Sequence, residues 1–560
     1  MPLKTLRPNK GRVFLIAIIW LAIFLVSLPV QAAPVKNLIV LIMDGCGDEQ
    51  LTLARWFKGA PLALDDIRTG AVKTHISDAV IADSAPAGTA YATGLRTGSP
   101  IIGLAPPVKN IPGLPPAAPE LALKPQGTVL EGARLLGKAT GIVVTCRISH
   151  ATPAAYFAHV EHRNREEDIT EQGVYQGMDV VLGGGRRYLM PAQMGGSRQD
   201  QEDLEAVLRS RNYQIITTRR EMPGVTSPKV FGLFDPSHLA PEIDRPELAP
   251  EQPSLAEMTQ KAISLLSANK NGFFLMVEGS QIDWACHAND PAHLLSDLLM
   301  FDQAVQIAID FAKRDGQTLV LALPDHNTGG LSIGNRRSDN DYDKLTPDAL
   351  LAPLKKMRRS APALWHSLRG DISPARIQEA VRRDWGLEIS ADHAQEIAEL
   401  SKKYGKEGHY ALGEVICPHY TYLGWTTHGH TGGDVPLFAY GPMRPVGLLD
   451  AQDIGRLSAR ALGFDLEHLT LRLFVDATQA FPPDAVQLER GDPHNLTLRL
   501  QYQGRQALLP VNKNLLIMNG QTRTLEGVVV HVASTGKTYL PLEAVHLLKG
   551  ETKPLPAIVK

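Results

Sequence analysis

Four short apolar runs, residues 37–43, 141–145, 273–277 and 318–323, carry no polar alternation, and each is followed within a few residues by an acid, a histidine or both. A strand with one wet face alternates, whereas an unbroken run suits a strand covered on both faces, as in a parallel sheet between helices. Helical patterns fill the intervals, 128–136 and 291–311 among them. The expected architecture is α/β: a three-layer sandwich with a central, mostly parallel sheet. In such sheets the ligand crevice lies beyond the carboxyl ends of the strands.

At 560 residues the chain exceeds one ordinary domain, and 44% hydrophobic with 21% charged residues is a globular balance. A net charge of −2 argues against a nucleic-acid scaffold role or attraction to anionic membranes. Lys4, Arg7, Lys10 and Arg12 precede an apolar run, residues 13–26, and Val30-Gln31-Ala32 offers small residues for cleavage. A signal peptide over 1–32 is expected, with a periplasmic or secreted product; an uncleaved membrane anchor is the alternative, because the run is long. The main domain is placed at 36–478, with a charged, amphipathic helical insertion at 336–423 lying over one end of the sheet, and a Gly/Pro-rich surface loop at 102–125. Alternation in 496–502 and the run 527–532 indicate a small β-rich C-terminal module over 482–560. Cys46, Cys146, Cys286 and Cys417 allow three pairings; buried free thiols or one disulfide are expected.

The strand ends concentrate the chemistry. Asp44 follows the first run, and Gly45 and Gly47 beside it leave room for a cation, although alone it reads as a turn residue. Glu278 closes another run. Asp283 and His287, four apart, share one helical face if a helix begins after Gly279, and carboxylate and imidazole at that spacing can hold one zinc ion. Asp325-His326 follows a third strand, and His430 precedes the apolar run 435–440. One multinuclear site accounts for these residues together, where a structural account must satisfy each separately. Ser84, among small residues in Asp83-Ser84-Ala85-Pro86-Ala87-Gly88, is the candidate nucleophile; a cation on its oxygen would remove the need for a histidine base. By itself the motif reads as a helix N-cap.

Asp83-Ser84-Ala85, Val277-Glu278-Gly279 with Ile282-Asp283 and His287, Asp325-His326, and His430-Thr431-Gly432 resemble the ordered signature of alkaline phosphatases. The segment from His150 through Thr152 and His159 to Arg163 matches a further stretch of that family. The resemblance implies phosphate monoester hydrolysis through a phosphoserine on Ser84. It implies two Zn²⁺, the first held by Asp283, His287 and His430, the second by Asp44, Asp325, His326 and the serine oxygen. It further implies one Mg²⁺ on Asp44, Thr152 and Glu278, with Arg163 gripping two phosphate oxygens, and a possible homodimer. His150, where some members carry aspartate, could admit Zn²⁺ at the third site; Trp284 stands where others have lysine or histidine and could weaken phosphate binding. A sulfatase or phosphodiesterase on the same architecture, or a surface binding protein on a phosphatase scaffold, are the rival readings. Three further histidine motifs read as decoys. Asp392-His393 reads as a solvated helix face, His428 as a weaker competitor of His430, and His159 and His162 as helix surface or near neighbours of the site. The C-terminal module weakly resembles the N-terminal-type repeat of copper amine oxidases, which implies packing and not copper chemistry.

Overall fold

The computed structural model describes residues 35–112 and 118–559. The signal or anchor expected over 1–32 lies outside the described residues. Among those described, no helix is long and apolar enough to cross a membrane.

Ten strands form the central sheet: β1 (Asn37–Met43), β2 (Arg68–Lys73), β3 (Ala139–Arg147), β4 (Val180–Gly184), β5 (Gln214–Ile216), β6 (Val230–Leu233), β7 (Phe273–Gly279), β8 (Thr318–Leu323), β9 (Asp434–Tyr440) and β10 (Gly447–Asp450). Their order is β10-β2-β9-β8-β1-β7-β3-β4-β6-β5. Every pair is parallel except those of β9, which runs antiparallel to both β2 and β8. The fold is thus the expected α/β sandwich, with a mixed margin.

The lack of alternation has a direct cause. On β1, Ile39, Leu41 and Met43 enter the core on one face, while Leu38, Val40 and Ile42 enter the core on the other. One face is covered by the long helix Pro291–Asp315, whose Leu294, Leu295, Leu298 and Phe301 are buried there. The other is covered by the helix Ser84–Thr93, which is buried along its whole length. Each such aliphatic or aromatic side chain contributes about 1.5–3 kcal/mol on burial.

Register then aligns the strand ends. Ile42 pairs with Glu278 on β7 and with Leu323 on β8, and Val144 on β3 pairs with Glu278 from the other side. Asp44, Glu278 and Asp325 therefore emerge at one level, where the sheet's hydrogen-bonding partners run out.

The segment after β8 is helical as expected, with Pro347–Leu354, Ala361–Ser367, Pro374–Trp385, Ala391–Tyr404 and Tyr410–Tyr420. It is not a loose flap. Ile377, Trp385, Ile397 and Ile416 join the core on the face of the long helix, and Asp290 Oδ2 accepts the Ala361 amide at 2.6 Å. Asp392 is exposed as expected of a solvated helix face, while His393 beside it is half-buried, stacked on the exposed His419 with ring centroids 4.2 Å apart and its Nδ1 2.7 Å from the Tyr420 hydroxyl.

Toward the C-terminus, five antiparallel strands between Val486 and Thr524 carry a core of their own, including Leu498, Leu500, Leu509 and Leu516. A second, three-stranded sheet of Val475–Asp476, Lys537–Leu540 and Val530–Val532 sends Val530, Val532 and Tyr539 into the main core. The run expected at 527–532 is a strand only at Val530–Val532. All four cysteines are buried and unpaired as disulfides. His159 is neither surface nor neighbour to the site: it is 2% exposed, with Nε2 3.2 Å from Glu131 and its ring against Phe474. His162 is exposed and lies outside any helix.

Candidate active site

Ser84 opens the helix Ser84–Thr93, here called α1; Asp83 occupies the N-cap position, so the serine is the first helical residue and not the cap. Its side chain is 2% exposed and its Oγ lies 3.1 Å from His326 Nε2. Backbone amides with no intrahelical partner point out of such an end and favour an anion. Gly88, one turn in, lets α1 close on Thr152, because a Cβ there would stand 3.3 Å from the Thr152 carbonyl oxygen.

Three clusters of ligand-type side chains stand at this end of the sheet, and the second of them touches the serine. Asp283, His287 and His430 form the first. The first two sit on the helix Gln281–His287, α2, which begins just past Gly279 as its spacing requires. His287 Nε2 is 3.2 Å from Asp283 Oδ2 and 3.2 Å from His430 Nε2, and His430 Nε2 is 3.8 Å from Asp283 Oδ1. Asp44, Asp325 and His326 form the second. There His326 Nε2 is 3.3 Å from Asp325 Oδ2 and 3.6 Å from Asp44 Oδ1. The rings of His326 and His430 stack at 3.7 Å, so the two clusters touch. A third cluster gathers Cys146, His150 and Glu278.

These separations suit cations. A tetrahedral zinc with bonds of about 2.0–2.1 Å holds its nitrogen and oxygen donors about 3.3 Å apart. Polar satisfaction gives an independent test. Both carboxylate oxygens of Asp44, Oδ2 of Asp325, Oε1 of Glu278, Oγ1 of Thr152 and Nδ1 of His150 are buried with no hydrogen-bond partner. A buried polar atom without a partner costs about 1–3 kcal/mol, more when charged, and a bound cation would satisfy the four carboxylate oxygens among these six.

Ionisation follows the same logic. Burial, then the neighbouring Asp325, holds Asp44 and Glu278 above the ordinary carboxylate range. Burial, then Asp283, does the same to Asp325. For Asp283 burial opposes the charge, but the imidazoles of His287, His326 and His430 outweigh it and hold the carboxyl low. His287 is raised to about 9: burial disfavours its cation, and Asp283 overcomes that. Burial and His430 lower His326 to about 3, so it stays neutral and its Nε2 lone pair is free to bind.

The surroundings fix these groups. His430 Nδ1 donates to the Ala82 carbonyl at 2.8 Å, and His287 Nδ1 to the His428 carbonyl. Each leaves Nε2 as the ligating atom. Thr328 Oγ1 donates to Asp283 Oδ1 at 2.6 Å and lies 3.3 Å from His326 Nδ1. Gly45, at φ +70°, is required because a Cβ there would stand 2.5 Å from Asp283 Oδ1. His428 is no competitor of His430; its ring turns away, Nδ1 donating to the His287 carbonyl at 2.6 Å and Nε2 3.3 Å from Glu414.

Arg163 reaches the serine's side of the pocket. One of its amino groups donates to Asp83 and the other lies 3.0 Å from His150 Nε2. Trp284 packs between His238 and His150, with ring centroids 4.2 and 5.5 Å away. The first cluster is the open one: the side chains of His287 and His430 are 20% and 16% exposed, against 0–1% for the second. Zinc sites that do chemistry keep such an open position.

Of the residues expected from the sequence, Asp44, His150, Glu278, Asp283, His287, Asp325, His326 and His430 fall in these three clusters, Ser84 lies against His326, Arg163 and Trp284 against His150, and Thr152 beside Gly88 of α1. Sequence reasoning missed Thr328, Cys146, His238 and the Ala82 carbonyl. Cys146 stood at the end of an apolar run, a usable signal; His238, in the irregular stretch after β6, had none.

Comparison with known proteins finds relatives over most of the chain. A family model described as alkaline phosphatase matches residues 35–463. The chain is 34% identical to alkaline phosphatase 4 of Bacillus subtilis over 430 residues, covering 73% of this chain and 84% of that one. It is 33% identical to the repressible alkaline phosphatase of Saccharomyces cerevisiae over 448 residues, 72% and 76% of the two chains. Among solved structures, the Thermus thermophilus alkaline phosphatase aligns with TM-score 0.68 at 28% identity, covering 77% of this chain and 92% of that one. The cold-active enzyme of a Shewanella species aligns with TM-score 0.64 at 30% identity, covering 76% and 99%.

Proposed function

The chain belongs to the alkaline phosphatase family, and from that premise we propose that it is an exported hydrolase of phosphate monoesters acting through a phosphoserine on Ser84. Asp283, His287 and His430 would hold one zinc ion, Asp44, Asp325 and His326 a second, and Thr152, Glu278 and Asp44 a third cation. When bound, the cations lower the pKa of the Ser84 hydroxyl and of a water and neutralise charge on the phosphoryl group.

The chain's own residues then have these roles. Ser84 Oγ, its proton given up to solvent, attacks phosphorus in line as the bond to the leaving oxygen breaks on the opposite side, and the departing alkoxide takes a proton from water. Arg163 turns its paired amino groups from Asp83 and His150 to two phosphate oxygens, a fork that lysine cannot supply. The amino end of α1 adds backbone donors. Water then breaks the phosphoseryl bond, releasing phosphate and restoring the serine. Most of the rate gain is positional and electrostatic.

The observation that carries this reading is that Asp44 and Asp325, whose buried carboxylate oxygens include three without a partner, flank His326, and His326 Nε2 lies 3.1 Å from Ser84 Oγ. In domain terms the proposal places catalysis in 36–478, with 336–423 as an insertion and 482–560 as an accessory module. Export rests on the N-terminal charge and apolar run, with residues 1–32 as the signal peptide. The test is a panel of a phosphate monoester, a phosphate diester and a sulfate ester, run on wild type and Ser84→Ala. Turnover of the monoester well above the other two, lost in Ser84→Ala with metal content retained, is expected. Full activity in the variant overturns the assignment, and preference for the diester or the sulfate ester overturns the substrate class.

A further inference from the structure

Beyond the cations just assigned, we infer that Cys146 is a thiolate ligand of the third cluster and makes that site select zinc over magnesium. The inference rests on the metal reading above and sharpens it for one site.

Register puts the cysteine there. Val144 pairs with Glu278 across β3 and β7, and Cys146, two residues on, faces the same side just past that pairing. Its Sγ lies 3.4 Å from Glu278 Oε2. Tetrahedral zinc, with sulfur at about 2.3 Å and oxygen at about 2.0 Å, sets those two donors about 3.5 Å apart. The sulfur, a ring nitrogen of His150 and a carboxylate oxygen of Glu278 all lie within 4.8 Å of one another.

The other donors are waiting. Glu278 and Thr152 are 0% exposed and His150 is 8% exposed, and Glu278 Oε1, Thr152 Oγ1 and His150 Nδ1 have no partner. Nor is Cys146 like the other buried cysteines. Cys46 Sγ donates to the Gly47 carbonyl, Cys417 Sγ to that of Asn289, and Cys286 Sγ accepts from Gln50 Nε2 at 3.8 Å. Those are neutral, satisfied contacts. Cys146 alone among the four meets a carboxylate, itself short of a counter-charge.

Sulfur, nitrogen and oxygen donors together fit zinc or cobalt. Magnesium demands near-octahedral oxygen and gains little from a thiolate. On binding, the thiol proton leaves to solvent and the sulfur takes up the metal.

The test uses the full chain, stripped with chelator and reloaded with cobalt(II), or with zinc in excess magnesium. Expected for wild type is a thiolate-to-cobalt charge-transfer band in the near ultraviolet and a third equivalent of zinc retained against magnesium. Cys146→Ser should lose the band and at least about tenfold in zinc preference at the third equivalent, keeping the other two; Cys417→Ser should keep the band. Cobalt-loaded wild type without the band overturns the inference whether or not the variants fold, as does a band that persists in Cys146→Ser. Failure to take up any metal would instead overturn the reading under Proposed function.

Discussion

Replacing Glu278 by glutamine should change stability in opposite directions depending on whether metal is bound. Glu278 is 0% exposed, one of its oxygens has no partner, and the other receives only a thiol 3.4 Å away. Burial and Asp325 raise its pKa. An ionised carboxylate so placed costs several kcal/mol after relaxation, whereas a glutamine amide of the same shape left partly unpaired costs about 1–3 kcal/mol. The metal-free variant should therefore be about 2 kcal/mol more stable than metal-free wild type at pH 8. With metal the sign inverts: if the substitution removes binding at a site previously filled at a hundred times its Kd, about 2.7 kcal/mol of linked stability is lost. A folded-state carboxyl pKa above the unfolded value confers stability that is complete below the unfolded pKa and falls as pH rises through the folded one. The metal-free difference should thus close toward about pH 4. Denaturant unfolding in chelator and in saturating zinc and magnesium measures both signs. Equal destabilisation in both media would refute the reasoning and make Glu278 an ordinary core group.

Further outcomes follow from the same geometry. Trp284→Lys sets an ammonium where an indole now packs on His238 and His150, and should tighten inhibition by inorganic phosphate about tenfold, roughly 1.4 kcal/mol; unchanged inhibition contradicts it. His428→Ala removes the ring that donates to the His287 carbonyl and so holds the His428 carbonyl against His287 Nδ1, and should raise the rate of zinc loss to a chelator about tenfold. His293, buried with Nε2 3.0 Å from Gln281, is lowered to about 3 by burial. A depressed folded pKa means stability is present above the unfolded value of about 6.5 and lost as pH falls from there toward 3. His293→Gln should reduce that acid-side slope by up to about 1.4 kcal/mol per pH unit, read from urea midpoints at pH 6.5 and 5.

The strand ends were legible because a two-sided sheet leaves an unmistakable trace. Asn37–Met43 and Thr318–Leu323 have the limits their composition implies, with Asp44 directly after the first and Asp325 one residue beyond the second. Asp283 and His287 were legible from helical spacing alone. The two strands β3 and β7 run further than their apolar runs, to Arg147 and Gly279, since register with neighbours and not hydropathy ends them. What holds the ligands was hidden. Thr328 reaches Asp283 across 45 positions, and the Ala82 carbonyl reaches His430 across 348; backbone acceptors and lone hydroxyls have no pattern of their own. The insertion read as helical from its charge clusters, but its polar anchorage, Asp290 on the amide of Ala361 and Asp244 on the amide and hydroxyl of Ser360, is long-range and leaves no local pattern. His159 was misplaced for a related reason: a polar residue is read as exposed unless its buried partner, here Glu131, is visible nearby in sequence.

The most direct measurement is peptide mass spectrometry of the zinc-loaded protein, acid-quenched during turnover of a phosphate monoester. The account predicts one added phosphoryl group on the peptide that carries Ser84, absent when the metals are removed first. Steady turnover with that peptide unmodified, or phosphate found on another side chain, would contradict it.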